Sequence, residues 1–98
     1  MKKTALSLKK LTAMRKHIDA CDRAIVRVLA ERFAVVRKIS QVKKDLALPV
    51  LQKKRKGEIR KTRIEQGRRL GLRAPFVEKI FNSIQAESIA IQKKDRSK

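Results

Sequence analysis

The sequence predicts an all-α protein of three helices, one of them very long, and three observations carry that prediction. Turn formers are scarce, with three Gly and two Pro in 98 residues. The only aromatics are three Phe, so the residues that favour strands are also few. Apolar residues recur at alternating spacings of three and four, which is the period of one helical face. The length bounds the chain to a single domain over residues 1–98, with ends expected to fray over about 1–6 and 94–98.

The first helix rests on the stripe Leu11, Met14, Ile18, Cys21, Ile25, Val28, Arg32, Val35, Ile39 and Val42, close to a heptad seam. No Gly or Pro interrupts the chain from Thr4 to Leu48. The expected span is Ser7 to Leu46, closed by Leu48-Pro49, because proline disfavours helix at the residue before it. At 1.5 Å per residue such a helix is roughly 60 Å long. A compact domain of this size has a radius of gyration near ~13 Å. One end of the stripe therefore lies bare in a single chain, and a second copy is the simplest cover.

The second helix is expected from about Leu51 to Leu70. It carries nine Lys/Arg against two Glu, and its apolar residues are mainly Leu51, Ile59 and Ile64. It must be solvated or face something anionic. Gly57 inside it costs about 1 kcal/mol relative to Ala, and Gly71 is a stop signal. The third helix is expected from Ala74 to Lys93, with Pro75 in its first turn and the stripe Val77, Ile80, Phe81, Ile84, Ser88 and Ile91.

Composition excludes several kinds of chemistry. Cys21 is the sole cysteine and His17 the sole histidine, so an intrachain disulfide and the common zinc arrangements are out of reach. Cys21 reads as a core filler and His17 as a surface residue. No metal and no cofactor is expected. The opening Met1-Lys2-Lys3-Thr4-Ala5-Leu6 imitates a secretory leader, but Lys9 and Lys10 end the apolar run too early. No stretch approaches a membrane span, and the expected compartment is the cytoplasm. With 28 Lys+Arg against 9 Asp+Glu, the formal net charge is +19. A chain so charged attracts anions, without saying which.

Polar residues stand where the pattern calls for apolar ones. Arg32 occupies a stripe position, where a guanidinium is costly unless it meets an anion or satisfied acceptors. Lys43 lies eleven residues on, only about 20° further round the helix. On the third helix Ser88 interrupts the stripe, with Gln85 and Gln92 on the same side, making a small polar ledge. Each has a blander reading. In the bland reading, the less favoured one for Arg32, that residue pairs with a carboxylate such as Asp22 or Glu31 of a second chain, Ser88 is a tolerated small residue, and Gln92 is solvated near a helix end. The run Lys53-Lys54-Arg55-Lys56 reads, taken alone, as a solvated face. The combination points to a buried pocket for a small anion.

These residues also match a family. Leu11-Thr12-Ala13-Met14-Arg15, Ile18, Asp22, Leu29-Ala30-Glu31-Arg32, Lys43, Pro49, Arg55, Glu87-Ser88 and Gln92 resemble the AroQ-class chorismate mutases, without gaps from about residue 11 to 92. The resemblance implies an intertwined homodimer of three-helix chains with two equivalent sites. It also implies the [3,3] rearrangement of chorismate to prephenate in aromatic amino-acid biosynthesis, without covalent intermediate, metal or redox cofactor. By resemblance, Arg32 and Arg55 bind substrate carboxylates and Arg15 reaches across from the other chain. Lys43 and Gln92 resemble the pair that donates to the ether oxygen, and Ser88 resembles a residue that assists carboxylate binding. The acidic pair that receives the substrate hydroxyl in the better-known bacterial form is replaced by Gln52 and Lys56. Gln52 still accepts a hydrogen bond; Lys56 does not.

Two other functions remain open on the sequence. One is isochorismate-pyruvate lyase on the same scaffold, which uses a similar cationic pocket. The other is a basic helical nucleic-acid binder, favoured by the charge and the helix–Gly71–helix junction. Against the second, no Trp or Tyr is present to stack on bases, so no specific nucleic-acid partner is expected. No separate regulatory domain is expected within a chain of this length.

Overall fold

The structure, a computed structural model, describes residues 2–97 and consists of three helices: α1 (Lys2–Asp45), α2 (Lys53–Arg69) and α3 (Ala74–Arg96). The chain divides into two compact units, Met1–Ala34 and Val35–Lys98. The described residues of the first are the N-terminal part of α1. The second holds the last turns of α1 together with α2 and α3. None of the described helices is long and apolar enough to cross a membrane.

The expected helices are all present, and their ends have local causes. Helix α1 stops at Asp45 because the chain turns left-handed at Ala47, with φ of 55°. Leu48 N donates to Lys43 O at 2.8 Å and Ala47 N to Lys44 O at 3.1 Å. This paired closure satisfies carbonyls that the last helical turn leaves open. Helix α2 ends in the same way at Gly71, φ 84°, with Leu72 N to Gly67 O at 2.8 Å and Gly71 N to Arg68 O at 3.1 Å. Here the left-handed residue is the glycine that the sequence offers as a stop; at Ala47 a Cβ occupies the same conformation. Helix α3 opens with Pro75 in its first turn and runs three residues beyond Lys93, to Arg96.

That extra turn of α3 is tied down. Ser40 on α1, wholly buried, donates from its hydroxyl to Asp95 Oδ2 at 2.9 Å. Arg96 donates from Nη2 to the carbonyl of Leu48 in the α1–α2 connection. A charged tail that looks free to fray in the sequence thus gains partners from the end of α1.

The apolar core of the described residues is small: Val36, Ile59 and Val77 are its buried members. Three polar residues, Ser40, Ser88 and Gln92, are buried as deeply. Helix α2 lies against α3 with Gly67 facing Val77, where a Cβ on Gly67 would come within 2.6 Å of a Val77 methyl. Arg60 and Glu78 join the same two helices at 2.9 Å, a pair too exposed to add much stability. The stripe of α1 is largely uncovered, with Met14 61%, Ile18 59%, Ile25 57% and Val28 53% exposed. Cys21, expected as a core filler, is exposed within the chain.

Candidate active site

In the second unit the end of α1, the start of α2 and the last three turns of α3 face one cleft of about 60 Å³. Its charged and polar lining consists of Lys43, Gln52, Arg55, Lys56, Gln85 and Gln92, with Ile59 and Ile89 among the apolar walls. No carboxylate belongs to the lining.

Lys43 is the best-defined group. Its Nζ donates to the carbonyl of Val50 at 2.8 Å and to Gln92 Oε1 at 2.9 Å. An ammonium has three N–H donors, so two are used and one remains for a ligand. Gln92 is buried, and its Nε2 donates to Ser88 O at 3.2 Å. Because Oε1 takes the bond from Lys43, the amide is oriented, and its second N–H is also left over. Two donors on adjacent side chains are therefore held together by the partners that consume the rest of their capacity.

Electrostatics favour an anion here. Burial holds the Lys43 ammonium below its ordinary pKa of 10.5, and the nearby Arg96 charge acts in the same direction. Lys43 nonetheless stands in the last turn of α1, where the helix dipole favours a cation. The first turn of α2, which has no acidic residue, brings Lys53 to Lys56 close behind its N-cap, Gln52. The Gln52 side chain makes no capping bond and lines the cleft instead. Arg55 is exposed and pairs with Glu58 at 3.8 Å.

The structure thus brings together four of the seven residues singled out in the sequence: Lys43, Gln92, Gln52 and Arg55. Ser88 is buried one helical turn from Gln92, but it is not among the lining side chains; its hydroxyl donates to Ile84 O at 2.9 Å. Arg15 and Arg32 belong to the N-terminal unit, Arg15 exposed and Arg32 half-buried. Gln92, readable as a solvated residue near a helix end, proves to be 6% exposed.

One lining residue stood in the polar ledge of the sequence without being assigned a role. Gln85 Nε2 is buried and has no hydrogen-bond partner among the described residues. The only signal for it was its position one turn before Ser88. A second and larger cavity, about 390 Å³, opens between α2 and α3 and is mainly apolar, walled by Ile59, Ile64, Val77 and Phe81. It shares Leu51, Lys56, Ile59 and Gln85 with the polar cleft.

Comparison with known proteins gives this geometry a context. The family described as chorismate mutase type II matches residues 14–93. The T-protein of Enterobacter agglomerans is 30% identical over 78 residues, which is 80% of this chain and 21% of that protein. The chain therefore spans about a fifth of the length of this curated relative. No solved structure matches the chain.

Proposed function

Because the chain belongs to the chorismate mutase type II family, we propose that it is an isomerase that converts chorismate to prephenate, serving aromatic amino-acid synthesis in the cytoplasm. The observation that carries this reading is the Lys43–Gln92 pair, with one uncommitted donor on each side chain. The rearrangement breaks an ether C–O bond as a C–C bond forms, and negative charge grows on the ether oxygen. Donors fixed before the reaction stabilise that charge without reorganisation, which is worth most in a site shielded from water.

The remaining work is to hold a flexible dianion in its reactive diaxial form. Arg55 on the cleft wall takes a carboxylate, with Ser88 assisting by turning its hydroxyl away from Ile84 O; by family resemblance Arg32 is a second carboxylate-binding residue. Gln52 accepts from the substrate hydroxyl. The chemistry asks for no nucleophile and no histidine base, in keeping with a cleft lined by cations and amides.

The working form is a homodimer in which Arg15 of one chain completes the site of the other. Two features support this. A cleft of about 60 Å³ is well below the ~300 Å³ at which small-molecule pockets begin, so it needs a further wall. The apolar stripe of α1 is exposed, and the apolar cavity between α2 and α3 offers it a seat in a second copy.

The test is incubation of the purified protein with chorismate at pH 7.5 without added metal, with the product identified. Prephenate supports the reading. Intact chorismate, or pyruvate released from isochorismate in its place, overturns it.

A further inference from the structure

The Ser40–Asp95 bond stands one helical turn from the Lys43–Gln92 donors, and the reaction as described makes no use of it. The Ser40 hydroxyl is wholly buried on α1 and donates to Asp95 Oδ2 on α3 at 2.9 Å. Stability alone does not call for this bond. Two apolar side chains of the same shape would serve about as well, because folding only exchanges one set of hydrogen-bond partners for another. What the bond adds is direction. Donor and acceptor must meet within narrow limits of distance and angle, whereas apolar contact is indifferent to them.

The place of the bond gives that direction a use. Ser40 lies three residues before Lys43, and Asp95 lies three residues after Gln92. Helices α1 and α3 are therefore antiparallel where they are joined, and the two bonds are adjacent rungs roughly 4.5 Å apart. The rungs differ in stiffness. Lysine carries its ammonium on a flexible four-carbon stem, and glutamine is nearly as long, so their bond tolerates a shift between the backbones. Serine and aspartate are short, so theirs does not. The turn that holds Asp95 is fastened a second time. Arg96 donates to Leu48 O, two residues before the Val50 carbonyl that accepts from Lys43.

We infer that Ser40 and Asp95 are positioning residues, whose bond sets the separation and register of α1 and α3 at which the Lys43 and Gln92 donors meet the breaking ether bond. Neither side chain lines the cleft, so both act through the pair one turn away. This inference rests on the reading of the chain as a chorismate mutase.

Three variants test it. Ser40→Ala removes the donor and Asp95→Leu removes the acceptor, while Asp95→Asn loses the charge and keeps a partner for the hydroxyl. Each is assayed with chorismate at a temperature where circular dichroism shows it folded. Ser40→Ala and Asp95→Leu should lower kcat by about 10- to 100-fold, the scale of a misplaced catalytic group. KM should stay within about twofold, since donors to charge that develops in the transition state act on kcat. Asp95→Asn should keep kcat within a few-fold of the parent. In a Lys43→Ala background, Ser40→Ala should lower kcat by less than about twofold, because no ammonium is left to place. A residue that serves only packing gives neither the rescue by Asp95→Asn nor the loss of effect in that background.

Parent-like kcat in Ser40→Ala, where the parent makes prephenate, overturns the inference alone. Ser40→Ala carries the test if Asp95→Leu does not fold. An Asp95→Asn variant as impaired as Asp95→Leu overturns it too, by assigning the effect to the carboxylate charge. So does an undiminished effect of Ser40→Ala in the absence of Lys43. A parent that leaves chorismate intact overturns both this inference and the reading beneath it.

Discussion

At the scale of single residues the account turns on Lys43. Its ammonium is held below the ordinary lysine value, first by burial and then by the Arg96 charge. A lowered pKa means that the proton leaves at lower pH than from an exposed lysine. The rate should therefore be full below that value and decline as pH rises through it, at a lower pH than for an exposed lysine. Removing the Arg96 charge by Arg96→Gln moves this alkaline limb upward without restoring it to 10.5, because burial remains the larger cause. The partner on the ether side is an amide, so nothing needs protonating in acid, and a flat pH–rate profile from about 5 to 7.5 is expected. A steep fall across that range, or an alkaline limb that Arg96→Gln leaves in place, would contradict the assignment.

Much at this scale was legible. A charged residue inside an apolar stripe and a polar ledge at helical spacing mark an inward site, and Lys43, Ser88 and Gln92 are all half-buried or buried. Arg15 and Arg55 were not legible in that way. Both are exposed, among many other exposed cations, and only the family resemblance separated them from a solvated face. Gln85 was visible as a polar residue, but whether its amide has a partner depends on atomic placement that periodicity does not report.

At the scale of elements, two helix ends obey one rule with different residues. The left-handed closing position is Gly71 after α2 and Ala47 after α1. A side chain in that conformation costs roughly 1–2 kcal/mol, partly offset by the greater unfolded-state freedom of glycine, about 0.4–1 kcal/mol. Ala47→Gly should therefore stabilise the protein by about 0.5–1 kcal/mol, read as a raised denaturant midpoint. Gly67→Ala should act in the opposite direction. Better helix propensity gains about 1 kcal/mol, but the new methyl meets the buried and stiff Val77 at 2.6 Å, and overpacking costs typically 1–3 kcal/mol. A stabilised Gly67→Ala variant would show that the α2–α3 contact is looser than described.

Helix number and order followed from the apolar spacing, since period and punctuation are local properties of the chain. The end of α3 did not. Lys93-Lys94-Asp95-Arg96 has the composition of a frayed tail, yet Asp95 accepts from Ser40 and Arg96 donates to Leu48 O. Both partners are about fifty residues away in sequence. Ser40 is one turn from Lys43, and Asp95 is one turn from Gln92. The Ser40–Asp95 and Lys43–Gln92 bonds are successive rungs between α1 and α3, so the tail helps to set the spacing at which Lys43 meets Gln92.

At the scale of the whole molecule, charge and apolar surface work against each other. Each chain carries +19, which repels a second copy, whereas the bare stripe of α1 gains from meeting one. The apolar term hardly responds to salt, but the Debye length shrinks from about 30 Å at 0.01 M to about 3 Å at 1 M. If the proposed homodimer forms, added sodium chloride should therefore tighten it, with a dissociation constant by sedimentation equilibrium that falls as salt rises. A chain that stays monomeric at high salt and micromolar concentration would remove the second copy, and with it the role of Arg15. The same field attracts nucleic acid in a sequence-blind manner, and such binding should vanish over the same rise in salt.

The most direct test of the central claim, that two preset donors on Lys43 and Gln92 stabilise the breaking ether bond, is the turnover of Lys43→Ala on chorismate. Loss of one such donor corresponds to a fall in kcat of about 10²–10³-fold. The account predicts that loss in a variant whose helical content and unfolding temperature stay near those of the parent. Turnover within a few-fold of the parent would contradict it.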